Sequence, residues 1–181
     1  MHESVMRFLR DNLSGPEVKD KSVLEVGSQD VNGSPRAVIA PLGPSSYVGV
    51  DFAAGPGVDV VGDAGDLVAL FSRDRFDVVV STEMLEHARD WRGAVRSMKR
   101  VLKPGGLLIV TTRGPGFPYH GFPHDYWRFT PADFLEIFHD FLFSVCKPDP
   151  QYPGILLKAR KPEDFHEVDI SQIEVLPAPT A

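Results

Sequence analysis

Cysteine is nearly missing from this chain: Cys146 stands alone in 181 residues. No intrachain disulfide and no zinc site built from cysteines can form, and a reducing compartment suits such a sequence. Positive charge is also scarce. The 19 lysines and arginines are outnumbered by 25 acidic residues, for a formal net charge of −6, and the basic residues are scattered. Nucleic acid is therefore not expected as a partner, because its footprint is a basic patch or stripe. Long apolar runs are absent too. The opening stretch MHESVMRFLRDNLSG is interrupted by charges, so neither a signal peptide nor a membrane span is expected, and a cytoplasmic protein is. The glycine fingerprint of a nicotinamide-binding loop is missing as well.

What is present suffices for one core, since 43% of the residues are hydrophobic. Met6, Phe8, Leu9 and Leu13 lie near helical spacing until Gly15-Pro16 stops the run. The β-branched runs at 22–27, 46–51, 57–61, 76–81 and 106–112 are short and several are apolar throughout, which suits strands buried on both faces of a parallel sheet. Helix candidates at 35–41, 66–72 and 90–102 separate them, the last halted by KPGG. Thr130 and Pro131 read as the start of another helix, and FLFSVCKP and GILLKARKP as two closing strands. The alternation is βαβα and the class is α/β. One domain is expected over residues 1–161, followed by an acidic, proline-containing tail over 162–181 that is expected to be partly disordered.

Residues 113–130 break the rhythm. Three prolines and three glycines are interleaved with Phe117, Tyr119, Phe122, Tyr126, Trp127 and Phe129. Such a segment reads as a long loop at a strand end, neither helix nor strand, and loops of that length are usually functional.

The first strand ends at Gly27 and the second at Asp51. Ligands of open parallel sheets bind beyond the strands' carboxyl ends, where an acid closing the second strand can accept hydrogen bonds from a ribose diol. A nucleoside therefore suits the loop SQDVNGS. A phosphate suits it less, because Asp30 stands where bare backbone N–H groups would be wanted.

On these motifs the chain resembles the class I S-adenosylmethionine-dependent methyltransferases, in particular their small methyltransferase-domain members. The match runs over about residues 20–140. VLEVGSQ, YVGVDF, VVGDAGDL, FDVVVSTEMLEH and MKRVLKPGGLLIVTT occur in the family's order. The departure is the first loop, where the family commonly has E/D-x-G-x-G-x-G and only Gly27 keeps its place, Gln29 and Val31 standing at the other two. The resemblance implies a Rossmann-like, mostly parallel sheet of seven strands with helices on both faces and the last strand antiparallel. It implies S-adenosyl-L-methionine as cofactor, with contacts at Glu25, Gly27, Ser28, Gln29, Asp51, Phe52, Asp63, Ala64, Ser81 and Glu83.

The remaining candidates concern the acceptor. His87 and His124 are the candidate bases, because imidazole titrates near working pH. Glu86 follows the fourth strand at the same edge, with a pocket role and a bracing role both open. His120, Tyr126, Trp127 and Arg128 are expected to form an acceptor wall in which rings supply flat area and Arg128 holds a polar group. No metal is expected, since Gly121 and Pro123 keep His120 and His124 off a common helix face. Trp91 and Phe134 are expected to be packing residues. The acceptor is expected to be a small molecule, such as a sugar or a natural-product intermediate, bound by the 113–130 loop and the N-terminal helix. The rival is a non-catalytic S-adenosylmethionine-binding protein of the same fold.

Overall fold

The structure, a computed structural model, describes residues 2–180. Helices α1 (Glu3–Asn12) and α2 (Gly15–Val18) lead into strand β1 (Ser22–Val26). Then come α3 (Arg36–Ile39), β2 (Ser46–Asp51), β3 (Val60–Val61), α4 (Leu67–Phe71), β4 (Phe76–Thr82), α5 (Trp91–Val101) and β5 (Leu102–Arg113). The chain closes with β6 (Trp127–Arg128), α6 (Pro131–Ile137), β7 (Leu142–Pro148), β8 (Gly154–Arg160) and β9 (Leu176–Pro177). Seven strands form one sheet in the order β3-β2-β1-β4-β5-β8-β7, in which β8 runs antiparallel to both neighbours.

Strand order reverses between β1 and β4, both parallel to each other. This is the switch point at which the strand-end loops diverge and leave a crevice.

The sheet divides two apolar clusters because successive strand residues point to opposite faces. Val78 and Val80 of β4, with Leu107 and Ile109 of β5, meet Val5, Phe8, Leu9, Val18 and Ile39 from α1 to α3. Val79, Leu108 and Val110 meet Leu67, Trp91, Met98 and Phe134 from α4 to α6. Strands covered on both sides are mostly apolar, as β1 and β4 are apart from Ser22 and Glu25 in the first and Asp77, Ser81 and Thr82 in the second. Trp91 and Phe134 are packing residues, both buried in the second cluster. Asp90 caps α5 by accepting from Gly93 N–H at 2.9 Å, and Thr130 caps α6 by accepting from Asp133 N–H at 3.2 Å.

Three elements depart from the sequence reading. The 57–61 run pairs over Val60–Val61 alone, because Gly57 adopts φ +84° and Asp59 turns to accept from Gly49 N–H at 2.7 Å. The 113–130 segment is not wholly irregular: Trp127 and Arg128 pair with Pro177 and Leu176 as β6 and β9. The segment after Pro162 lies along the domain, with Ile170 fully buried and Phe165, Val168, Ile173 and Val175 against the larger cluster. Its composition is acidic, but its apolar residues are spaced so that one side can be buried.

Candidate active site

Beyond the carboxyl ends of β1, β2, β3 and β4 lies a cavity of about 900 Å³, at the upper end of the ~300–1,000 Å³ usual for small-molecule sites. One wall comes from the strand ends: Glu25, Gly27, Gln29, Asp51, Phe52, Asp63, Ala64 and Glu83 all line it. The other comes from the 113–130 loop and the turn after β4, through His87, His120, Phe122, Pro123, His124 and Tyr126. No helix of the described residues is long and apolar enough to cross a membrane.

Gly27 sits at φ +81°, and a Cβ there would lie 2.5 Å from Met84 Cγ. The missing side chain lets the turn after β1 and the turn after β4 close on each other. Asp51 lies across from it. Its Oδ2 accepts from Gln29 N–H at 3.0 Å and its Oδ1 from Ala53 N–H at 3.4 Å. A carboxylate offers about four lone-pair sites, so Asp51 keeps acceptor capacity toward the cavity. Asp63 caps a short 3₁₀ turn by accepting from Gly65 N–H at 2.7 Å.

Glu25 is buried inside β1, where Tyr47 Oη donates to it at 2.7 Å and Ser34 Oγ at 3.3 Å. Burial lifts its carboxyl to about 7 against those two hydrogen bonds. Between the ordinary value of 4.5 and about 7, the folded state retains a proton that the unfolded chain has released. Stability from this group is therefore full below the ordinary value and falls as pH rises through 7, by about 3 kcal/mol in all. Urea melts taken from acid to alkaline of neutrality should show this decline. Glu25→Gln stays neutral at every pH and should flatten it; an unchanged slope would assign the decline to other groups.

Not every expected contact reaches the cavity. Ser28 and Ser81 are buried off its wall, Ser28 packed against Gly49 of β2 and Ser81 within β4. Arg128 and Trp127 face away from it. Arg128 is 2% exposed and clamps Asp125 with both terminal nitrogens at 2.6 Å, while donating to the carbonyls of Phe117, Pro118 and Trp127. Burial pushes the Asp125 carboxyl up, but the hydrogen bonds from Arg128 and from His120 N–H outweigh it and hold it below its usual value. Trp127 Nε1 donates to Ala88 O at 2.9 Å, and its ring packs on the core. An arginine beside two rings reads alike as a recognition surface or a buried clamp; the pairing of β6 with β9 turns it inward.

His120 and Tyr126 do line the cavity, as do His87 and His124. His87 Nδ1 lies 2.6 Å from His124 O, and a carbonyl only accepts, so Nδ1 carries a proton and Nε2 is the acceptor nitrogen of the neutral ring. The N-terminal helix contributes less than expected: among the lining residues it is represented by His2, just before α1. His2 lies against Tyr152 with ring centroids 4.2 Å apart and planes tilted by 48°.

Residues that carried no sequence signal also shape the site. Arg113, at the end of β5, is buried, forms an ion pair with Glu83, and lies 4.5 Å from the Phe117 ring centroid. Burial lowers its guanidinium to about 10. Glu83 itself takes φ 55°, the left-handed conformation that turns the chain out of β4. Neither the partner nor the turn can be read from a single acidic residue after a strand.

A model of the methyltransferase domain matches residues 1–140. Among solved structures, a Haloferax volcanii protein in complex with the methyltransferase activator Trm112 superposes with a TM-score of 0.70 at 17% identity, over 92% of each chain. The Burkholderia thailandensis 1,6-didemethyltoxoflavin-N1-methyltransferase, with its substrate and S-adenosylhomocysteine bound, superposes with a TM-score of 0.69 at 18% identity, over 88% of this chain and 79% of that one. These likenesses establish the fold. In sequence, 40 residues are 45% identical to a ubiquinone biosynthesis O-methyltransferase of a Bradyrhizobium strain, over 22% of this chain and 16% of that protein. The curated relatives are matched over between 2% and 24% of their own lengths. A domain model that spans 140 of the 181 residues is of another order: the chain belongs to the methyltransferase-domain family of class I S-adenosylmethionine-dependent methyltransferases.

Proposed function

We propose that this chain transfers the methyl group of S-adenosyl-L-methionine to a small-molecule acceptor held in the same cavity. The observation that carries this reading is the pairing of two walls around one space. The strand ends supply Glu25, Gly27, Asp51 and Asp63, and the aromatic loop faces them with His120, Phe122, His124 and Tyr126. In this arrangement Asp51 holds the ribose diol, Asp63 and Ala64 meet the adenine edge, and Glu25 lies toward the cationic amino group. Attack on the sulfonium methyl is an in-line displacement that neutralises charge, so holding the acceptor in line and excluding water lower the barrier. The acceptor is small because one cavity must hold both molecules. That the Burkholderia thailandensis enzyme acts on a small heterocycle supports the same class.

The test is incubation with cofactor labelled in its methyl group and a panel of hydroxyl, amine and heterocyclic acceptors. Label recovered in any acceptor is expected. Tight cofactor binding with no transfer to any of them favours a non-catalytic binding protein, and no binding at all overturns the reading.

Asp51→Ala should weaken S-adenosylhomocysteine binding by about 2 kcal/mol, roughly 30-fold, because two charge-assisted hydrogen bonds are lost together. The fold should persist, and calorimetry decides. Unchanged affinity would put the ribose elsewhere.

A further inference from the structure

Three side chains from two separate segments converge where the acceptor loop meets the turn after β4. Glu86, His87 and His120 each bring a ligand atom to within 4.8 Å of the other two. Glu86 is fully buried, and its Oε2 accepts from Thr112 Oγ1 at 2.7 Å. Among the described residues its Oε1 has no hydrogen-bond partner, and it lies 3.6 Å from His120 Nε2. That distance is too long for a hydrogen bond, and a buried carboxylate oxygen without a donor is costly. A cation would remove the cost.

Both imidazoles are oriented alike. His87 Nδ1–H donates to the His124 carbonyl at 2.6 Å, and His120 Nδ1 lies 3.0 Å from Asp125 Oδ2. In the neutral imidazole this leaves Nε2 as the ligand nitrogen of each ring. Metal-bound histidines characteristically donate their other ring nitrogen to a carbonyl or a carboxylate, and here one does each. Asp125 is itself fixed by Arg128 at 2.6 Å on both oxygens, so the chain of support reaches into the core. A surface cluster of like composition would not be buttressed in this way.

We propose that Glu86, His87 and His120 form a binding site for one divalent first-row transition cation, with its remaining coordination positions open to the cavity. Two imidazoles and one carboxylate suit zinc, iron, cobalt or manganese, whereas calcium and magnesium favour all-oxygen shells. Ligand atoms about 2.0–2.2 Å from a metal lie roughly 3–3.5 Å apart, so the widest separation in the set closes by up to roughly 1.5 Å. Glu83, although near in sequence, is taken by Arg113 and is not a ligand. With a cation on Nε2, His87 leaves the role of base to His124, and the metal can bind an acceptor oxygen. That last step rests on the methyl-transfer reading above.

Cobalt(II) added to the metal-free protein, followed by equilibrium dialysis and by visible d–d absorption, tests the site without cofactor or acceptor, so its outcome is independent of any transfer assay. One ion per chain is expected, with a spectrum of nitrogen and oxygen ligation. His120→Gln and Glu86→Gln should each weaken binding at least tenfold, and Asp125→Asn by about tenfold or more through loss of the imidazole's orientation. His139→Gln, in the exposed turn after α6 and outside the cavity lining, should bind as the wild type does. Circular dichroism checks the fold of each variant; if Glu86→Gln fails to fold, the partly exposed His120 still provides the comparison. Absence of binding to the wild type, or equal binding by wild type and His120→Gln, overturns the proposal.

Discussion

Arg128→Ala is expected to lower stability by about 3–5 kcal/mol, the cost of leaving one member of a buried ion pair without its partner. The loss is large because the guanidinium has several duties at once. It neutralises Asp125, which is 8% exposed, and it satisfies the carbonyls of Phe117 and Pro118 at the start of the loop and of Trp127 near its end. Removing it cuts the side-chain link between Phe117–Pro118 and Asp125–Trp127, leaving the backbone bond from Phe129 N–H to Arg113 O to hold the two ends of the segment. Arg128→Lys should recover little, since an ammonium cannot span both carboxylate oxygens and three carbonyls with a planar fork. Urea denaturation at an unchanged m-value measures the loss directly. A decrease below about 1 kcal/mol would put the pair in the weak class of exposed ion pairs and return Arg128 to the surface role that its neighbours Tyr126 and Trp127 suggest in sequence.

Gly27→Ala should cost roughly 2–5 kcal/mol, and the cost should extend to the ligand. A side chain held in the left-handed region loses about 1–2 kcal/mol, and overpacking adds about 1–3 kcal/mol. The overlap here is with Met84 Cβ, at 2.6 Å, as well as with its movable end. Met84 follows Glu83 on the turn out of β4, so relief of the overlap displaces the turn that carries Glu83 into the cavity. S-adenosylhomocysteine affinity should therefore fall at least tenfold together with stability. Native-like stability and affinity in this variant would show that the two turns do not need their close approach.

The sequence carried the architecture well because it rests on local signals that repeat. Short β-branched runs such as VVV in β4 suit a strand covered on both faces, and KPGG after the α5 stripe stops a helix at Val101. The β4–β5 pairing shifts register between Phe76 and Val78, where the chain passes that turn. The positions of Gly27 and Asp51 were legible for the same reason, since each closes a strand on the edge that a parallel sheet gives to ligands, whereas Asp63, two residues past β3, came from the family resemblance. The seventh strand's antiparallel direction came from the family resemblance, not from any pattern in GILLKAR.

What local signals could not carry is direction across the loop. Tyr126, Trp127 and Arg128 are consecutive, yet Tyr126 lines the cavity while Arg128 is turned into the protein. Pairing with β9, which the acidic tail supplies some 50 residues later, decides this. Likewise Glu86 and His87 come from the turn after β4 and His120 from the loop after β5, and the juxtaposition of two strands joins them. Composition, periodicity and motif order thus determined the α/β class, the ligand-binding edge and the family. Tertiary structure alone decided which polar side chains face the cavity and which are clamps, because burial of a charge depends on a partner that is distant in the chain and near only after folding.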